Sequence, residues 1–215
     1  MKVIAINGSP HKDGNTVQSL QVVGEKLKSN GIDLEIIHIG HKAIHGCIAC
    51  GQCRVKRDGT CGIKNDVLNE HIPALRQADG IILASPVYFS GIAGSMKSFL
   101  DRLFYVSLSN GNFFRHKVGA ALVAVRRTGG SHTLDGLNHY LTYCEMQLAT
   151  SNYWSVVHGL TPGEARYDSE GVNTLEVLGD NMAWQLKMRE ATRSTLPEPQ
   201  VVQKVATHFV REDLK

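Results

Sequence analysis

The feature that most restricts this chain is its first turn. A short apolar, strand-forming run, Val3–Ile6, leads into Gly8-Ser9-Pro10-His11-Lys12-Asp13-Gly14-Asn15-Thr16. Helical spacing at Thr16, Leu20, Val23 and Leu27 then begins. A strand that is apolar on both faces belongs inside a parallel sheet covered by helices. Strand, small-residue loop and helix make the first half of a βαβ unit. Small residues let backbone close around a ligand, and the helix start offers unpaired N–H groups to an anion. An ordinary βα turn with a helix cap is the plainer alternative.

The loop lacks the Lys after its second Gly that a triphosphate-magnesium site needs, and its glycines are not spaced G-x-G-x-x-G. Its donors are mostly neutral: Ser9, Asn15 and Thr16. Such a loop suits a single terminal phosphate like that of FMN.

The rest of the chain repeats the alternation. Strands are predicted at Leu34–Ile39, Gly80–Ser85, Val118–Val125 and near Tyr153–Val157, with helical patterns between and after them, about 132–148 and 174–193 among them. Asp66 is placed to cap a helix carrying Val67, Leu68, Ile72 and Leu75. Met96, Phe99, Leu100 and Leu103 form another buried stripe, leaving Lys97, Asp101 and Arg102 on its exposed or interfacial side. The prediction is a doubly wound α/β fold with five parallel strands in the order 2-1-3-4-5. One domain spans 1–195, with an insertion at 41–65 after the second strand and a C-terminal arm at 196–215. Ligands of such sheets bind beyond the strand carboxyl ends at the topological switch point. The loops there are 8–16, 85–92 and 126–131, all rich in Gly, Ser, Thr or Asn.

At this point the residues resemble a known family. GSPHKDGNT, DGIILASPVYF and MKSFLDR, in this order and spacing, are similar to the NAD(P)H-dependent FMN reductase and iron–sulfur flavoprotein family of the flavodoxin-like superfamily. The likeness covers the first two-thirds of the chain best, and GLTPGEARYDSEGV matches more loosely. It implies that Ser9, Gly14, Asn15 and Thr16 hold the FMN phosphate, with His11 where relatives often carry Arg. It also implies that Pro86, Val87, Tyr88 and Phe89 wrap the flavin, the plainer reading of the two aromatics being core or dimer contact. Thr128, Gly129 and Gly130 follow the fourth strand at the same edge, where Gly permits close backbone approach to a ligand. Arg126 and Arg127 before them either attract a dinucleotide phosphate or end the strand in solvent.

The insertion holds four of the five cysteines, Cys47, Cys50, Cys53 and Cys61, spaced C-x2-C-x2-C-x7-C. Three thiolates at that spacing can converge on one cluster and a fourth can close it. The spacing resembles the compact motif of iron–sulfur flavoproteins, which implies a [4Fe–4S] cluster. Free thiols and a four-thiolate zinc site are the competing readings. Cys144 reads as a small buried hydrophobe.

A formal net charge of +3 is too small to argue for nucleic acid, and no apolar run reaches membrane-spanning length. No signal peptide is legible, so a cytoplasmic location is expected. No metal-ligand spacing of histidines and no nucleophile–base pair is legible, so the flavin is expected to carry the chemistry. The expected function is an FMN-dependent oxidoreductase reduced by NADH or NADPH and reoxidised by a small acceptor or redox partner. The alternative is an electron carrier reduced by ferredoxin. The resemblance implies a homodimer or homotetramer.

Overall fold

The computed structural model describes residues 1–205, so the last part of the expected arm, 206–215, lies outside the described residues. Strand β1 (Lys2–Asn7) sits between β2 (Asp33–His38) and β3 (Gly80–Tyr88), all parallel; β5 (Val118–Val125) follows β3 on its far side, also parallel. A two-residue strand, β4 (Gly91–Ile92), folds back antiparallel on the end of β3. The expected fifth strand is two short pieces, β6 (Gln147–Leu148) and β7 (Val156–His158), pairing with opposite ends of β5. The order 2-1-3-4-5 therefore holds by position, with its last place divided.

Alternation along the strands builds two cores. Ile4 and Ile6 of β1 and Ile81 and Leu83 of β3 face α3 (Leu68–Gln77), α4 (Gly94–Ser109) and α5 (Gly130–Tyr143). Val3, Ala5 and Ile82 face α1 (Asn15–Ser29) and α6 (Ser169–Thr192), where Leu20, Val23, Leu175 and Met182 are fully buried. Helix α5 is shorter than the periodicity predicts, because Gln147–Leu148 joins the sheet rather than extending the helix. Beyond α6, residues 197–205 run without regular structure, and Arg115 Nη1 donates to the Pro199 carbonyl at 2.9 Å. No helix among the described residues is long and apolar enough to cross a membrane.

Candidate functional site

The site is built from the loops that leave the carboxyl ends of β1, β3 and β5. The first turns sharply because Asn7, fully buried at the end of β1, accepts from the Ser9 N–H at 2.9 Å through its Oδ1. Ser9 Oγ accepts in turn from the His11 N–H at 3.2 Å. Gly8 is required because a Cβ there would lie 2.6 Å from Met96 Cβ, so α4 packs directly under the loop. Gly40 closes the loop from the other side: a Cβ there would be 2.2 Å from the Ser9 carbonyl.

Helix α1 starts from Gly14 with no side-chain cap. Its first N–H groups therefore face the loop unpaired, the arrangement an anion needs. A second partial positive charge lies beneath, since buried Asn7 Nδ2 has no hydrogen-bond partner. Basic side chains ring the loop: His38 Nε2 reaches the Ser9 carbonyl at 2.5 Å, and the His41 ring stands 4.5 Å from that of His38. Desolvation, with the charges of His38, Lys42 and Lys12, pushes the His41 pKa down. His11, Lys12 and Asp13 are exposed, and Thr16 is buried under the helix start.

Asn15 departs from expectation. Its side chain is not a spare donor for a ligand. Nδ2 donates to the Thr161 carbonyl at 3.0 Å, and Oδ1 accepts from the N–H groups of Gly163 and Ala165, both at 3.1 Å. Asn15 thus ties the loop after β7 to the start of α1, leaving its backbone N–H for the ligand. Gly159 fits here only because it lacks a Cβ, which would stand 2.7 Å from Asn15 Nδ2.

Strand β3 continues past Ser85 through Pro86 and Val87 to Tyr88, where a hairpin replaces the expected open loop. The turn residues Phe89 and Ser90 both have positive φ, 49° and 58°. That is the geometry of a type I′ turn, normally given to Asn or Gly. Phe89 is fully exposed and Tyr88 half-exposed, so neither is a core aromatic within this chain. Ser85 Oγ accepts from the Ala93 N–H at 3.0 Å and ties the hairpin base.

The third loop packs against this hairpin. Gly129 has φ +85°, and a Cβ there would be 2.7 Å from Ser90 Cα. It precedes α5, which also lacks a side-chain cap. Thr128, Gly129 and Gly130 line a cavity of about 470 Å³ between the ends of β5 and β7. Tyr153 and Trp154, exposed and with ring centroids 5.0 Å apart, line it too; expected within the fifth strand, they precede β7.

The cysteine insertion is organised by Arg102. Arg102, expected on an exposed or interfacial face, has instead a fully buried side chain paired with Asp66, also fully buried. Arg102 lies three residues after Phe99, on the flank of the apolar stripe, and turns inward under residues 45–66. Nη2 donates to Asp66 Oδ1 at 3.1 Å, Nη1 to the His45 carbonyl at 3.1 Å, and Nε to Cys61 Sγ at 3.3 Å. Burial pushes the Asp66 carboxyl up, but hydrogen bonds from Arg102, the His45 N–H and the Leu68 N–H outweigh it and hold the pKa below its ordinary value. Lys97 and Asp101 do stay partly exposed and pair with each other at 2.8 Å.

The four cysteines do not gather. Cys47 and Cys50 are exposed; Cys53 and Cys61 are buried. Among the described residues, no three His, Cys, Asp or Glu side chains are arranged to hold a metal ion. Cys53, in the short helix α2 (Gln52–Lys56), instead packs at 3.8 Å from Ser109 Oγ of α4. Cys144 is fully buried as expected, and burial pushes its thiol up to about 12.

A family model described as NADPH-dependent FMN reductase matches residues 1–161. An iron–sulfur flavoprotein of Methanocaldococcus jannaschii is 34% identical over 195 residues, covering 87% of this chain and 98% of the relative. Another, of Methanosarcina thermophila, is 31% identical, covering 90% of this chain and 99% of the relative. Among solved structures, the NAD(P)H:quinone oxidoreductase of Methanothermobacter marburgensis superposes with a TM-score of 0.65 at 16% identity, covering 85% of this chain and 96% of the other. At that identity the match speaks for a shared fold.

Proposed function

The chain belongs to the NADPH-dependent FMN reductase family, and from this premise we propose that it is an oxidoreductase holding FMN across the ends of β1, β3 and β5. The observation that carries the reading is the uncapped start of α1 behind a loop closed by Gly8 and Gly40, with Lys12 and Lys42 as nearby cations and the imidazoles of His38 and His41 beside the loop. These residues fit a phosphate dianion, which backbone N–H groups and the helix dipole would hold. Pro86–Phe89 and Thr128–Gly130 would flank the flat ring system, Tyr88 and Phe89 offering aromatic surface and the glycines backbone N–H groups. Bound FMN supplies hydride acceptance from a nicotinamide and electron delivery to an acceptor. The chain's own part is to fix the phosphate, orient the ring and leave one face open to substrates.

A second reading, an electron carrier reduced by ferredoxin, is favoured by the four cysteines and by relatives named as iron–sulfur flavoproteins. The arrangement described here does not fit a [4Fe–4S] cluster, because two thiols face solvent while two are held under α4 by Arg102 and Ser109. One experiment tests both readings: an absorption spectrum of anaerobically purified protein, with iron and sulfide assayed on the same sample. Flavin bands without iron, and bleaching by NADPH, are the result expected of the reductase. Flavin with about four irons per chain, and bleaching only by reduced ferredoxin, would replace it with the carrier.

A further inference from the structure

The divided last strand leaves a gap along the edge of β5. The Gly119 carbonyl accepts from the Ala149 N–H at 2.8 Å, and there the chain of β6 leaves the sheet. It returns at Ser155, whose carbonyl accepts from the Val123 N–H at 2.9 Å. Alternate residues of a parallel strand present N–H and C=O to the same edge. Ala121, midway between Gly119 and Val123, therefore turns both of its groups toward the gap. No backbone hydrogen bond from residues 149–155 meets either group among the described residues. Ala121 is nevertheless only 5% exposed. A buried peptide donor and acceptor without partners is rare and calls for a physical reason.

Ala121 opens onto a cavity of about 400 Å³, within the range of small-ligand sites. Leu134 and Leu148 line it beside Ala121, and Asn138 of α5 brings an amide with both donor and acceptor. Tyr153 and Trp154 complete the lining with aromatic surface. No acidic or basic side chain lines it among the described residues.

This chemistry selects the occupant. Gly119 and Val123 are already bonded on this edge, so one residue's N–H and C=O remain between them. An added peptide strand needs a row of such groups and does not fit so short a gap. One N–H beside one C=O is met in full by an amide held cis within a ring, whose C=O and N–H lie side by side. The uncharged lining suits a neutral ligand, and the aromatic wall suits a flat one. We propose that the gap between β6 and β7 binds a neutral, planar heterocycle with a ring amide, of the pyrimidinedione class, through paired hydrogen bonds to Ala121. The site does not depend on the proposed reductase.

The test uses uracil, which carries the ring amide, and 1,3-dimethyluracil, which keeps the ring and both carbonyls but has no N–H. Binding is read from the Ala121 backbone amide resonance of isotope-labelled protein, as purified and again after saturation with FMN. Without probe, the Ala121 amide should exchange with solvent at least about tenfold faster than that of Val123, which is bonded to Ser155. Uracil should shift the Ala121 resonance saturably and slow its exchange. The dimethyl compound should bind at least about tenfold more weakly, because the Ala121 carbonyl then stays unpaired. Trp154→Ala should weaken both probes, and Asn138→Leu should weaken uracil more than the dimethyl compound. Equal binding of the two probes, no binding of either, or an Ala121 amide as protected as that of Val123 would overturn the proposal. Loss of uracil binding on saturation with FMN would also overturn it, because the gap would then belong to the flavin. FMN uptake itself, read by flavin absorbance, judges the reductase separately.

Discussion

Arg102 and Asp66 meet inside the protein with neither side chain exposed, Nη2 to Oδ1 at 3.1 Å. They lie 36 residues apart, and through them α4 holds the whole insertion that carries the cysteines. Four further contacts, to Cys61 Sγ, the His45 and Ile63 carbonyls and the second Asp66 oxygen, use nearly all the donors an arginine has.

Removing one partner leaves a buried charge without its counter-ion. Arg102→Ala is expected to cost about 3–5 kcal/mol in urea unfolding. Arg102→Lys should recover little, because an ammonium cannot reproduce the fork. The double variant Arg102→Met/Asp66→Leu should recover most of the loss. A single-variant cost under about 1 kcal/mol, typical of a surface pair, would show that the clamp does not form.

The same pair sets a pH dependence. The native pKa of Asp66 is held below its unfolded value, so its contribution is complete above about pH 4 and is lost as pH falls through the native value. The stability gap between the wild type and Asp66→Asn should be constant from pH 5 to 8, roughly, and shrink below about pH 4. Denaturant titrations at several pH values check this. A gap that widens on acidification would contradict the sign.

Thiol exposure is equally specific. With Cys47 and Cys50 at the surface and Cys53, Cys61 and Cys144 buried, a disulfide reagent should titrate two thiols per native chain quickly and the other three only on unfolding. Four fast thiols would mean that the insertion is not clamped as described.

Asn15 ties two segments together. Asn15→Ala removes three hydrogen bonds to residues 161–165 and should cost about 1–3 kcal/mol. Hydrogen exchange at the Gly163 and Ala165 amides should quicken markedly. Unchanged exchange there would place the loop's anchor elsewhere.

The hairpin turn is strained, since Phe89 and Ser90 both hold positive φ. Such backbone costs about 1–2 kcal/mol per residue and persists where a site requires it. Phe89→Asn/Ser90→Gly is expected to raise the melting temperature and to weaken flavin binding by removing Phe89. A rise in both stability and flavin affinity would deny Phe89 its place against the ring.

Much of this was legible in sequence, for physical reasons that differ by element. The apolar runs Val3–Ile6 and Val118–Val125 could only be central strands, and with them came the sheet order and the three ligand loops. The hairpin at Phe89–Ser90 was hidden because neither residue is the Asn or Gly that marks such a turn. Arg102 was misplaced because a charged residue beside Lys97 and Asp101 reads as solvent-facing, and its partner Asp66 comes from a distant segment that looked only like a helix cap. Asn15 looked like a ligand donor because its true partners, Thr161, Gly163 and Ala165, lie far along the chain, where local spacing shows no contact. Tyr153 and Trp154 read as strand residues, although they lie just before β7 and outside the core.

In the proposed function the first loop and the start of α1 hold a flavin through its phosphate. Equilibrium titration of cofactor-free protein with FMN and with riboflavin tests it most directly. One FMN per chain is expected, with riboflavin binding weaker by at least about tenfold, since only FMN carries the anion that the helix start attracts. Equal affinity for the two flavins, or no binding of either, would contradict it.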